Sequence, residues 1–193
     1  MKKMLLKEIC EIRTGYQGKK EAGTMYRLIN PTDLNSDGII DIKTTKTFGD
    51  SKIHSKFVIK NREIIFKAKS SHYSVGVFKN HPENCVPSGH FFILNINHEQ
   101  IGKIHPEYIS WYLSQEEAQR RFKRLATGMA MPTVRKSDLE DLVVTVPPLE
   151  IQNKIIKIHE LSLKEKMLFE ELLELRKLQT KNALNNLINQ EDL

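Results

Sequence analysis

The sequence has little cysteine, no long apolar run and none of the glycine-rich signatures of nucleotide pockets, and each shortage narrows what the chain does. Only Cys10 and Cys85 occur in 193 residues. They are too few and too far apart for a disulfide scaffold or a cysteine-based zinc site. No apolar stretch approaches the roughly 18 residues that span a bilayer. The start, MKKMLLKEICEIRTG, is charged too early and too often for a secretory leader. A cytoplasmic location without membrane attachment is the expectation. No G-x-S-x-G, Walker loop or G-x-G-x-x-G is present, so a nucleophile elbow and the common phosphate cradles lack support. The seven histidines show no metal-type spacing. No cofactor is expected. The 39% hydrophobic content is ordinary for a packed core, and the length suits one domain, alone or with an appendage.

What the chain does have is an uneven charge. Residues 1–90 carry 16 basic and 9 acidic side chains, whereas residues 91–193 carry 14 and 15. Most of the excess lies in Lys43–Lys79, where nine basic residues face only Asp50 and Glu63. Such a field attracts polyanions. A lysine-rich solvated surface would show the same letters.

Leu5, Leu6, Ile9 and Ile12 fall at helical spacing, with Gly15 as a C-terminal cap. Short β-like runs follow at Tyr26–Ile29, Ile39–Ile42, Phe57–Ile59, Ile64–Phe66, Ser74–Phe78 and Phe91–Ile96. A second helix is expected from Tyr108 to about Ala126, with Arg120, Arg121, Lys123 and Arg124 on its outer face. Ser137 and Glu140 read as a capping box, and Leu142–Val146 as a last strand. Pro147-Pro148 marks a boundary. From Leu149 to about Ile188 there is neither glycine nor proline. Ile151, Ile155, Ile158, Leu161, Leu168, Leu172 and Leu175 make a stripe too long for the preceding domain to cover. Part of it is expected to face another helix, rather than fold back on its own domain.

Three sites compete for chemistry. Asp33–Asp41 (DLNSDGIID) has the letters of an EF-hand loop, but Thr44 stands where calcium needs a bidentate glutamate, and a polar turn explains the same residues. Asp33 with Asp41-x-Lys43 matches the carboxylate-lysine pattern of metal-dependent nucleases. Lys67–Tyr73 (KAKSSHY) ends a strand in cations, hydroxyls and an aromatic, groups that hold phosphates and read base edges.

Taken in order, the motifs resemble the specificity subunit of type I restriction-modification systems, in a half-length form. The carrying segments are Leu6–Gly15 (LKEICEIRTG), Tyr26–Ile42 (YRLINPTDLNSDGIIDI), Pro106–Leu113 (PEYISWYL), Ala126–Leu142 (ATGMAMPTVRKSDLEDL) and above all Val146–Ile155 (VPPLEIQNKI), close to the family's PPLxxQxxI signature. Where the family commonly has Gly-Asp before its central strand and Arg-Gly after it, this chain has Arg62-Glu63 and Lys69-Ser70. The resemblance implies an α/β (α+β) target recognition domain over residues 1–147. Residues 148–193 would be a long helix that forms an antiparallel coiled coil with a partner, for dimerisation and spacing. It further implies a non-catalytic subunit that reads double-stranded DNA. A single unit would homodimerise through Ile155, Ile158, Leu161, Leu168, Leu172 and Leu175, read a bipartite site, and assemble with methyltransferase and restriction subunits. The residues expected at DNA are Tyr16, Gln17, Lys19, Lys20, Lys46, Lys52, Lys67, Lys69, Ser71, His72, Tyr73, Thr133 and Arg135. Two other readings stay open at this point: a metal-dependent nuclease using Asp33, Asp41 and Lys43, and a coiled-coil adaptor without DNA contact.

Overall fold

The computed structural model describes residues 1–18, 23–43, 45–49, 53–128 and 131–190, with backbone only for 187–190. These fall into two units, Met1–Lys154 and Ile155–Leu193.

The first unit is built on a four-stranded antiparallel sheet in the order β2 (Cys10–Thr14), β8 (Phe91–Ile96), β5 (Ile64–Lys67), β6 (Val75–Val77). The sequences of β8 (FFILNI) and β5 (IIFK) are almost wholly apolar, as strands covered on both faces require; of the ten residues only Asn95 is exposed and Lys67 half-buried. Their register pairs Ile65 with Ile93 and Phe66 with Phe92. Because side chains alternate, the two pairs serve opposite faces. Ile65 and Ile93 join Ile29, Leu34, Ile40, Cys85 and Phe91 in the core beneath a second, three-stranded sheet. That sheet has the order β4 (Thr47–Phe48), β3 (Tyr26–Ile29), β7 (Cys85–Pro87). On the opposite face Phe66 meets Phe122 edge to face at 5.0 Å. Phe122 belongs to α3 (Glu116–Leu125), which follows α2 (Pro106–Ser114).

The N-terminal segment departs from the expected helix. Lys2–Leu5 forms β1, Leu6–Ile9 is one helical turn (α1), and Cys10–Thr14 is already β2. Apolar residues three or four apart also suit a strand-turn-strand path, and pairing with distant partners decides between the two. β1 pairs antiparallel with β9 (Val143–Val146), and β2 with β8. Gly15 accordingly caps no helix. A side chain there would strike the carbonyls of Pro87 and Ser88, so glycine permits their close approach.

Other boundaries also moved. The helix expected from Tyr108 is two, broken at Gln115, whose backbone is extended (ψ 150) and whose amide donates to the Trp111 carbonyl. Helix α4 (Lys136–Glu140) is capped by Arg135, not Ser137, with the Asp138 carboxylate accepting the Arg135 N–H at 3.3 Å. Phe57–Ile59 and Ile39–Ile42 form no strands: the first overlaps a 3-10 turn (Ser55–Phe57), the second makes one bridge, Ile40 to Leu34.

Arg62 occupies the left-handed region (φ 69), which glycine enters without strain. The next residue, Glu63, is 3% exposed and accepts hydrogen bonds from Arg13 Nη1 and Nη2 and from the Lys60 N–H, at 2.6 to 2.8 Å. Arg62-Glu63 thus takes a turn suited to glycine followed by a buried carboxylate.

Within the first unit Gln152, in the first turn of the last helix, is fully buried. Its Oε1 accepts the His105 N–H at 3.0 Å, and its Nε2 donates to the carbonyls of Lys103 (3.0 Å) and Pro147 (2.9 Å). Helix α5 runs from Leu149 to Gln190. Its 42 residues correspond to roughly 60 Å of rise. In the second unit Ile158, Leu161, Leu168, Leu172 and Leu175 are 47% to 68% exposed, and Ile155 is half-buried.

Candidate nucleic-acid interface

Four segments of chain are welded together beside the start of β8. Ala68 and Lys69 both donate their N–H to the His90 carbonyl, Ser70 donates to Pro132, and Val134 donates to Ala68. Lys69 bridges Thr133, and Thr133 exchanges both backbone hydrogen bonds with Thr127. Gly128 turns this loop with φ 104. On the other flank Tyr16 bridges Ser88, and the Gln17 side chain lies against Gly89. Residues 15–17, 67–72, 88–90, 127–128 and 131–135 therefore share one main-chain network. The positive φ of Gly128 and the close approach to Gln17 that Gly89 permits place these segments, not their hydropathy.

Of the residues expected at DNA, Gln17, Ser71 and His72 project from this network and are exposed; Lys69 and Thr133 are half-buried within it. Tyr16 is half-buried, packed edge to face on Phe57 at 5.4 Å and tilted against Phe48 at 5.6 Å. Its ring braces the loop that carries Gln17. Lys46 is exposed on the approach to β4. Arg135 is exposed but ion-paired with Asp138 at 3.0 Å. Lys67 is half-buried, with Nζ donating to the Leu34 carbonyl at 3.1 Å; burial lowers its pKa from the ordinary lysine value. Its ammonium therefore ties the 31–41 loop to β5. Lys19, Lys20 and Lys52 lie outside the described residues.

Tyr73 is a correction. It is 1% exposed, stacked on Phe66 at 6.2 Å with an interplanar angle of 5°, and Phe122 meets it edge-on at 6.0 Å. Its ring is a core group that cannot reach a base, because α3 covers that face of the sheet. Burial also raises its pKa. Missed in the sequence were Ser88, His90 and Thr127. They sit at the crossing points of the network, and no local pattern marks them.

The carboxylates of the 31–41 loop are turned to structural use. Asp33 Oδ2 accepts the Asn30 N–H at 2.8 Å and the Thr45 hydroxyl at 3.4 Å, while Asp41 Oδ1 accepts the Lys43 N–H. Asn35 Oδ1 accepts the N–H of both Asp37 and Ile39, an Asx turn. Gly38 (φ 80) lies against the Val75 carbonyl, where a side chain would clash. Thr44 lies outside the described residues. Among the described residues no three acidic, histidine or cysteine side chains cluster as a metal site, and no helix is long and apolar enough to cross a membrane.

A mixed α/β unit leading into one long helix is a fold shared with solved specificity subunits of type I systems. The chain superposes on a protein from a structure of type I R-M complex assembly and conformational transition with a TM-score of 0.61 at 15% identity, over 85% of this chain and 38% of the other. For the S subunit from M. genitalium the TM-score is 0.57 at 16% identity, covering 86% and 39%. For the HsdS subunit from Thermoanaerobacter tengcongensis it is 0.55 at 16%, covering 85% and 37%.

The profile of the type I restriction modification DNA specificity domain matches residues 1–185, and the chain belongs to that family. In sequence it is 28% identical over 162 residues to a protein of Methanocaldococcus jannaschii bearing the name type I restriction enzyme MjaX specificity subunit. That match covers 79% of this chain and 37% of the relative. The chain thus spans under two fifths of the length of these relatives.

Proposed function

We propose that this chain is the DNA recognition subunit of a type I restriction-modification system, working as a two-fold pair of half-length units. Family membership across residues 1–185 carries the reading. Residues 1–147 act as the target recognition domain. The welded loops present Gln17, Ser71, His72 and Thr133 to base edges in the major groove. Lys46, Lys69 and the exposed Lys43, Lys56 and Lys60 of the 43–79 segment neutralise phosphates, which gives salt-dependent, sequence-blind affinity. Residues 148–193 pair antiparallel with the same helix of a second copy and set the distance between half-sites. Exposed Ile158, Leu161, Leu168, Leu172 and Leu175 support that pairing. The apolar surface is broader than one seam, since Phe169 and Leu173 flank it on one side and Met167 and Leu178 on the other. The subunit is cytoplasmic and performs no catalysis itself. Methyltransferase and restriction subunits that assemble on it do the chemistry.

The test is selection of duplexes from a random library by the purified chain with its cognate methyltransferase. Enrichment of a two-fold symmetric, interrupted sequence is expected. Recovery of unenriched pool DNA would refute sequence reading.

A further inference from the structure

We propose that the outward face of α3 is a second, sequence-independent contact for the DNA backbone, with Lys123 and Arg124 as its phosphate-binding groups. The inference rests on the DNA reading above and adds a surface outside the loops. α3 buries Ala118, Gln119 and Phe122 toward the sheet. The opposite arc carries Arg120, Lys123 and Arg124 at spacings of three and four, which makes them neighbours on one face, and all three are exposed.

The charge here is not a by-product of composition. Residues 91–150 carry one more acidic than basic side chain, yet four of their seven cations fall within Arg120–Arg124. Two of the four are occupied. Arg120 pairs with Glu116 at 2.5 Å, and Arg121 donates to the Asp141 carbonyl at 3.0 Å. Among the described residues no carboxylate pairs with Lys123 or Arg124.

Position gives the pair its partner. The helix ends at Leu125 and runs into Thr127, which is bonded to Thr133 in the welded loops. Lys123 and Arg124 lie in the last turn of α3, four and three residues before Thr127. A duplex lying on Ser71, His72 and Thr133 would carry its backbone past them. Cations in a last turn also complement the helix dipole, but that role needs no duplex and is separable by experiment.

The test uses the full chain carrying Lys123→Gln and Arg124→Gln, binding a random-sequence duplex pool across a salt series. Each lost phosphate contact lowers the slope of log K against log salt by about 0.9, so the double variant should lose roughly 2. The loss should be equal for all sequences. As a control, Lys103→Gln removes an exposed cation beyond the far end of β8, roughly 20 Å of strand from His90, and should leave the slope unchanged. Wild-type slope in the double variant, with or without a lower Tm, overturns the proposal and leaves only the dipole role. A wild-type chain that does not bind the pool refutes the DNA reading instead.

Discussion

Replacing Gln152 with alanine should cost the first unit about 4 kcal/mol. Three hydrogen bonds to a fully buried carboxamide are lost. Each contributes about 1 kcal/mol net, and the His105 N–H and two carbonyls left unpaired add a desolvation penalty. For a chain of this length that corresponds to a fall in Tm on the order of 10 °C. Urea unfolding followed through Trp111, the single tryptophan, reads the first unit directly. Gln152→Glu sharpens the test. It keeps the acceptor for His105 but aims a carboxylate at the carbonyls of Lys103 and Pro147. The introduced acid then has a folded pKa above its unfolded value. The variant should lie nearest to wild type at acid pH and lose stability as pH rises through the folded pKa. A Gln152→Ala protein within 1 kcal/mol of wild type would show that water replaces the carboxamide, and the reasoning would fail.

Glu63→Ala strips the half-buried Arg13 of its partner, and should cost about 3–5 kcal/mol, measured by the same unfolding curves. Burial pushes the Cys10 thiol up to about 12 and the Cys85 thiol to about 11. Both should therefore resist a thiolate-directed reagent at pH 8 in the native protein and react in denaturant; reaction of either in the native state would contradict their burial. In the proposed symmetric pair, Leu172→Asp replaces two apolar seam residues, 47% exposed in the single chain, and inserts charge there. It should weaken self-association by roughly 100-fold or more. Unchanged sedimentation would remove this stripe from the interface.

Where the sequence was legible, one physical signal dominated. The 42-residue helix showed as an uninterrupted stretch without glycine or proline, and β3, β5, β8 and β9 as apolar or β-branched runs. What stayed hidden depends on partners remote in the chain. β1 exists because Val143–Val146 lies alongside it, and the pairing of β7 with β3 crosses almost 60 residues. The site divides the same way. The turn at Ser71-His72 was readable from its polar letters. Tyr73, one residue on, goes inward because Phe122 waits some 50 positions later. Gln152 was visible as part of a signature, yet its three bonds are evident only once residues 103 and 105 are adjacent.

The welding of the four segments by main-chain bonds has a consequence for how such a surface changes over generations. Amide-to-carbonyl links make no demand on what the side chains at positions 17, 71, 72 and 133 are. Those positions can be respelled one letter at a time while the frame beneath them stands, so a new preference can arise without a new fold.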